Sequence, residues 1–280
     1  MVICVNIVND IFLKISTSYK IIQNLLFQFY RPYIVPAKKH KVYLAIQYSD
    51  TKEWIVFHSD NYFSIFTSLL DVFLYIQDTI ELMLEKYCME YLLIHGSCLS
   101  IKDKALGFIG PTRSGKSTLN LAFILRYKAR FISDDTIIID EKNNLISFPQ
   151  IIFLRALDIL PSDINKYCIL SGYSSLRKEY IYAISFPEVI NKAKLVNIFC
   201  INHDKNISPF IRQLSRADAY EKLLLNLKFN SHVHKDITKI FSAINNILVY
   251  QVKNSDLSIS IESVFNTLYS KGESVCHELN

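Results

Sequence analysis

Eight consecutive residues, Gly110-Pro-Thr-Arg-Ser-Gly-Lys-Ser117, constrain this chain more than any other stretch. They match the pattern G-x-x-x-x-G-K-[ST], the Walker A phosphate loop. Apolar, strand-like Ala105-Leu-Gly-Phe-Ile109 precedes them, and Leu119-Asn-Leu-Ala-Phe-Ile-Leu-Arg126, with helical texture, follows. A phosphate site needs this order of strand, loop and helix. Loop amides turn inward as a nest for anionic oxygens, and a helix beginning near Lys116 adds the positive end of its dipole. Lys116 brings an ammonium to the β- and γ-phosphates, and Ser117 a hydroxyl for Mg²⁺. The expected nucleotide-binding set is therefore Gly110, Pro111, Thr112, Arg113, Ser114, Gly115, Lys116, Ser117 and Thr118. ATP and Mg²⁺ are the expected ligands. Arg113 either projects outward or contacts an anionic substrate.

Glycine usage points to the same place. Only six glycines occur in 280 residues, and four of them (Gly96, Gly107, Gly110, Gly115) fall within positions 96–115. Glycine serves where backbone must turn left-handed or approach a ligand closely.

Composition narrows the setting. At 50% hydrophobic and 20% charged residues the chain builds a core and is not a disordered one. Asp71, Gln77 and Asp78 interrupt the longest apolar stretch before it reaches the roughly 18 residues of a membrane span. The apolar N-terminus has no basic residue ahead of it and fits a signal peptide poorly. Six cysteines without C-x-x-C spacing disfavour a zinc ribbon or thioredoxin site. A net charge of +5, with scattered basic residues, does not demand nucleic acid. The expectation is a soluble, cytoplasmic protein with no membrane and no nucleic-acid partner.

Residues 41–58 read as two β runs joined by Ser49-Asp-Thr-Lys52, and 63–90 as one amphipathic helix. From 91 the texture changes to strands 91–101 and 105–109, a hairpin around Lys102-Asp-Lys104, and then the loop. Two β runs within 129–140 flank a pair of acids. Further on come strand 196–201 and helices near 216–229, 236–248 and 259–270. The expected class is α/β, with an N-terminal α+β lobe over 1–90 and a nucleotide-binding domain over 91–280.

Asp134 and Asp135 stand at a strand end after the loop. Neighbours on a strand point to opposite faces, so one acid can face a metal and the other an incoming nucleophile. Vicinal carboxylates also repel, which raises one pKa. A plain solvated strand end is the alternative. His95 lies on the strand before the loop, where a histidine is either a satisfied core residue or a site residue. Arg155, after an apolar strand, either reaches a γ-phosphate or is a surface, ion-paired arginine. His232 and His234 alternate, so in a strand they share a face, as surface histidines or as metal ligands would, and Tyr173 and Tyr180 are candidates to line a peptide groove.

The block Leu93-Ile-His-Gly-Ser-Cys-Leu-Ser-Ile101, the phosphate loop, and Phe131-Ile-Ser-Asp-Asp-Thr-Ile-Ile-Ile139 together resemble the HPr kinase/phosphorylase family. The similarity spans roughly residues 91–160, with a weaker echo in Leu214-Ser-Arg-Ala-Asp-Ala219. That family's nucleotide core is related to the ATP-dependent phosphoenolpyruvate carboxykinases. The resemblance implies an HPr-kinase-like domain in which Asp135 is the base and Lys116 binds phosphate. It also implies Ser117 as a magnesium ligand, His95 as an active-site partner, and Asp134 supporting the metal. The sequence departs from the family in two places. No glycine-rich stretch follows the core, and Phe153 stands where the family carries a magnesium-binding glutamate.

Shorter relatives of this kind phosphorylate a serine of a lasso-type, ribosomally made precursor peptide, and others phosphorylate small molecules such as free serine. The expected activity is thus Mg²⁺-dependent transfer of the ATP γ-phosphoryl to a serine-type hydroxyl, with a precursor peptide as acceptor. A small-molecule or protein-serine kinase, a non-catalytic ATP-binding regulator and a plain ATPase are the alternatives. Because the related kinases self-assemble, a homo-oligomer joins the partner classes.

Overall fold

Val8-Asn-Asp-Ile11 sets the first turn. Asn9 and Asp10 both take positive φ (37° and 63°), the two-residue turn that matches strand twist. It joins β1 (Val2–Val8) to β2 (Ile11–Thr17) in an antiparallel hairpin. Residues 1–280 are described in a computed structural model, except 37, 102–103, 156–161, 187–188, 204–209, 229–237, 239, 241, 243–244, 246, 255–256 and 270–280. Helix α1 (Lys20–Tyr30) buries Ile22, Leu25, Leu26, Phe29 and Tyr30, the spacing of a single helical stripe. Strands β3 (Ile34–Val35), β4 (Val42–Tyr48), β5 (Trp54–His58) and β6 (Phe63–Phe66) complete a six-stranded sheet in the order β3-β1-β2-β4-β5-β6.

The long helix expected from residue 63 begins later. Phe63–Phe66 pairs with β5, and α2 runs Leu69–Tyr87. Ser68 explains the start: its hydroxyl accepts the Asp71 N–H at 3.1 Å and caps the first turn.

The second sheet is built around β7 (Leu92–Ile101). Strand β8 (Lys104–Ile109) pairs antiparallel with the far half of β7, Gly96↔Ile109 through Ile101↔Lys104. Along the opposite edge run β9 (Arg130–Ser133) and β10 (Thr136–Ile139), placing Ser133 opposite Cys98 and Thr136 opposite His95. Strand β15 (Lys192–His203) lies parallel to both β8 and β17 (Leu248–Asn254), and β16 (Phe210–Gln213) forms the edge. Strand β11 (Asn144–Ile146) pairs with β10 and with β15, so β10-β7-β8-β15-β11 closes into a circuit. A third sheet has the order β12 (Ile152–Leu154), β14 (Glu179–Ile184), β13 (Cys168–Ser174). The fold is mixed α/β with several sheets.

Helices cover both faces of the second sheet. On one side α3 (Lys116–Tyr127) and α5 (Leu257–Tyr269) share a core with Leu99, Phe108, Phe199 and Tyr250. On the other, α4 (Arg216–Leu225) buries Leu223 against Ile94, Ile109 and Ile198. A third core joins α1, α2 and the first sheet to Leu93, Ile138, Phe148, Ile151 and Ile181. The helix expected over 216–229 stops at Leu225, because Asn226–Lys228 turns to pair with β7. Most of the helix expected over 236–248, the turn residues 102–103, and His232 and His234 lie outside the described residues.

Candidate active site

The phosphate loop leaves β8 at a residue that must be glycine. Gly110 has φ +147°, and a Cβ there would sit 2.3 Å from the Ile201 carbonyl oxygen. Gly115, at φ +91°, caps α3, whose first bond runs from the Leu119 N–H to the Gly115 carbonyl. Pro111, Thr112 and Arg113 are exposed, whereas Ser114 and Lys116 are buried. The Lys116 ammonium folds back on the loop, donating to the carbonyls of Gly110 (3.0 Å) and Pro111 (2.9 Å). Burial lowers its pKa, against the opposing pull of the Asp135 and Asp134 charges.

Between β9 and β10 the two acids interrupt the run that pairs with β7. Gln150 clamps the first: its Oε1 accepts the Asp134 N–H at 2.6 Å, and its Nε2 donates to the Asp134 carbonyl. The second sits at the apex of a γ-turn. Asp135 has φ +62°, and the Thr136 N–H donates back to the Asp134 carbonyl at 2.7 Å. A γ-turn with positive central φ is the rarer and more strained form. The Asp135 carbonyl then accepts the Gly96 N–H at 3.2 Å, which restores the ladder with β7.

This kink sorts the two carboxylates. Asp134 turns inward, is buried, and accepts a hydrogen bond from the Ser117 hydroxyl, while its Oδ1 has no partner. Burial, reinforced by the Asp135 charge, pushes its pKa up to about 7. Asp135 stays half exposed and meets His95, whose Nδ1 lies 3.2 Å from its Oδ1 and 3.1 Å from its carbonyl oxygen. Both of those atoms accept, so the proton belongs on Nδ1, and the partnerless Nε2 carries the lone pair. Burial, more than any other influence, lowers the His95 pKa and keeps the ring neutral.

Lys116, Ser117, Asp134, Asp135 and His95 are thus brought together. Arg155 is not part of this group: it follows β12 and pairs with Glu179, Nε to Oε2 at 2.7 Å. Tyr173 and Tyr180 are exposed cross-strand neighbours on the β13–β14 hairpin. A cleft of about 670 Å³ near the far end of β10, lined by Tyr33, Asp140 and Lys142 among others, is a separate feature.

Four residues of the site were not singled out by sequence: Gln150, Asn226, Lys228 and Glu81. Asn226 and Lys228 flank Leu227, which pairs with Ile94 and is buried. The alternation therefore turns both polar side chains toward the site, Asn226 to the loop and Lys228 to the Asp135 side. The Asn226 Oδ1 accepts the Gly110 N–H at 3.2 Å, and its carbonyl accepts the His95 N–H at 2.7 Å. Lys228 Nζ lies 2.8 Å from Glu81 Oε2, 2.6 Å from Thr136 Oγ1 and 3.9 Å from Asp135 Oδ2. A helical reading of 216–229 conceals this period-two signal.

Among the described residues, no group of three or more His, Cys, Asp or Glu side chains is placed to hold a metal ion. Ser117 and Asp134 still suit magnesium, which takes one or two protein oxygens and completes its shell with phosphates and water. The partnerless, buried Asp134 Oδ1 fits that use.

No protein-family model matches the chain, and neither does any curated protein. Among solved structures, the chain is similar to the HPr(Ser) kinase/phosphatase from Coxiella burnetii. The identity is 18% and the TM-score 0.34, over 63% of this chain and 95% of that one. No helix among the described residues is long and apolar enough to cross a membrane.

Proposed function

We propose that the chain is a Mg²⁺-dependent phosphotransferase that moves the γ-phosphoryl of ATP to a serine-type hydroxyl. One observation carries the reading: the γ-turn at Asp135 gives two adjacent acids opposite tasks. The inward acid faces the phosphate loop through Ser117, and the outward acid is held by a neutral histidine on the open side. A phosphate loop alone serves binding or hydrolysis equally well, whereas a second, exposed carboxylate beside it suits a base for an acceptor.

In this reading Lys116 exchanges the Gly110 and Pro111 carbonyls for phosphate oxygens, and the loop amides with the start of α3 take up the remaining charge. Ser117 and Asp134 would hold magnesium, which when bound neutralises phosphate charge. The acceptor oxygen forms a bond to the γ-phosphorus as the bond from that phosphorus to the bridging β–γ oxygen breaks, and ADP leaves. The hydroxyl proton passes to Asp135, which the His95 Nδ1–H keeps oriented. Catalysis is mainly positioning and charge neutralisation.

The acceptor we favour is a ribosomally made, lasso-type precursor peptide, with free serine or a protein serine as other hydroxyls of the same class. We further propose a lobe over 1–90, a kinase domain over 91–280, a cytoplasmic setting and self-assembly. The test is incubation with Mg·ATP and serine-ended peptides or free serine, scored by mass spectrometry for a gain of one phosphoryl group. Asp135→Asn should abolish that gain while leaving nucleotide binding within about twofold, because an amide cannot take the proton. Turnover unchanged in Asp135→Asn removes the base assignment. ATP bound with no phosphorylated product in any acceptor removes the transfer reading.

A further inference from the structure

Beyond the loop and the paired acids, a lysine reaches the second oxygen of the Asp135 carboxylate. The Lys228 ammonium is mostly buried and sits among three oxygens: Glu81 Oε2, Thr136 Oγ1 and Asp135 Oδ2. Its backbone is fixed independently. The Lys228 N–H donates to the Leu93 carbonyl at 3.0 Å, and the neighbouring Leu227 pairs with Ile94. Glu81 comes from α2, the helix that follows the first sheet. The chain of contacts therefore runs Glu81–Lys228–Asp135–His95, from α2 across the base to β7.

A mostly buried ion pair is weak support for stability, since desolvation offsets much of the attraction and apolar residues of similar volume often serve as well. Stability alone is thus a poor account of this pair. Its geometry offers a better one. Asp135 is half exposed at the apex of a strained turn, and His95 touches only one of its two carboxylate oxygens. The other, Oδ2, faces Lys228 at 3.9 Å, and Lys228 also grips Thr136, the residue whose N–H closes the turn.

We propose that Lys228, held by Glu81, is a positioning residue that fixes the Asp135 carboxylate beside His95 and so makes α2 part of the reaction apparatus. The inference rests on the transfer reading given above. A displaced base costs rate without costing nucleotide affinity, because none of these contacts touches the loop.

The experiment needs no knowledge of the natural acceptor. Release of inorganic phosphate from Mg·ATP, with water as acceptor, gives kcat and KM. Calorimetric titration with Mg²⁺ and β,γ-imido-ATP gives nucleotide affinity, and thermal unfolding checks the fold. The variants are Lys228→Met, Lys228→Arg and the double variant Lys228→Met/Glu81→Leu, which replaces the pair by apolar side chains. In both Met-bearing variants kcat should fall roughly 10–100-fold, with KM and analogue affinity within about twofold of wild type. Lys228→Arg should keep most of the rate, because it retains a cation held by Glu81. A folded double variant with kcat within twofold of wild type overturns the proposal. Parallel loss of kcat and analogue affinity also overturns it, since Lys228 would then act on binding. Wild-type protein that binds no analogue, or that neither releases phosphate to water nor phosphorylates a serine-type hydroxyl, removes the transfer reading itself.

Discussion

A carboxyl buried as deeply as that of Asp134 costs the folded chain stability whenever it is ionised. Its folded pKa is raised to about 7 from an ordinary 3.8, so the native state binds the extra proton between those values. Stability therefore falls as pH rises through that window, by up to about 1.4 kcal/mol per pH unit, and the full penalty is present above it. Asp134→Asn, which cannot ionise, should raise the unfolding temperature by several degrees at pH 8 and by clearly less at pH 5. Thermal unfolding at the two pH values checks this, and an equal shift at both would sink the assignment. The two acids were legible in the sequence as neighbours of a phosphate loop, and so were Lys116 and Ser117. That they face opposite ways was expected from strand alternation, but the γ-turn that turns them apart was not. The γ-turn depends on Gln150 and Gly96, partners distant in the chain that only the folded register brings near.

Helix α2 shows the same lesson one level up. Asp71, Gln77 and Asp78 look in the sequence like interruptions of an apolar run. In the fold they and Glu81 lie along one side of the helix, and each finds a partner there. Asp71 accepts from Ser174 Oγ (2.6 Å) and from the Ser175 N–H (3.2 Å), holding the β13–β14 hairpin. The Gln77 Oε1 accepts the Ile151 N–H at 3.0 Å, next to the Gln150 clamp. Asp78 pairs with Arg177, and Glu81 with Lys228. Removing the Asp71 carboxylate strands two donors in a buried place, so Asp71→Ala should cost about 2–4 kcal/mol. Urea unfolding gives the value, and a loss under about 0.5 kcal/mol would show that water replaces the carboxylate at no cost. Periodicity located the helix; it could not reveal that its polar residues are spoken for, since their partners lie about 70 to 150 positions away. The early start expected at residue 63 failed for a simpler reason: four residues of β6 extend the sheet before the Ser68 cap.

At the scale of the molecule, the change of texture near residue 91 does coincide with a change of sheet, from strands ending at Phe66 to β7 beginning at Leu92. What composition did not reveal is the core laid across that divide, where Leu93, Ile138, Phe148 and Ile151 pack with residues of the first sheet and α2. Cutting the chain at 90 would strip the cover from those side chains. The intact protein should consequently unfold in one calorimetric transition whose calorimetric and van't Hoff enthalpies agree. Two resolved transitions would show that the shared core couples the sheets only weakly.

The strand circuit β10-β7-β8-β15-β11 has a consequence of its own. An open sheet unzips from its outermost strand, because the first hydrogen bonds to break are those with a partner on one side only. A closed circuit offers no such loose end. His95 on β7, Thr136 on β10 and the root of the phosphate loop on β8 all belong to it. Fraying can start at β6, β3 or β16 without reaching them, so transient opening at the rims leaves the spacing of the candidate site intact.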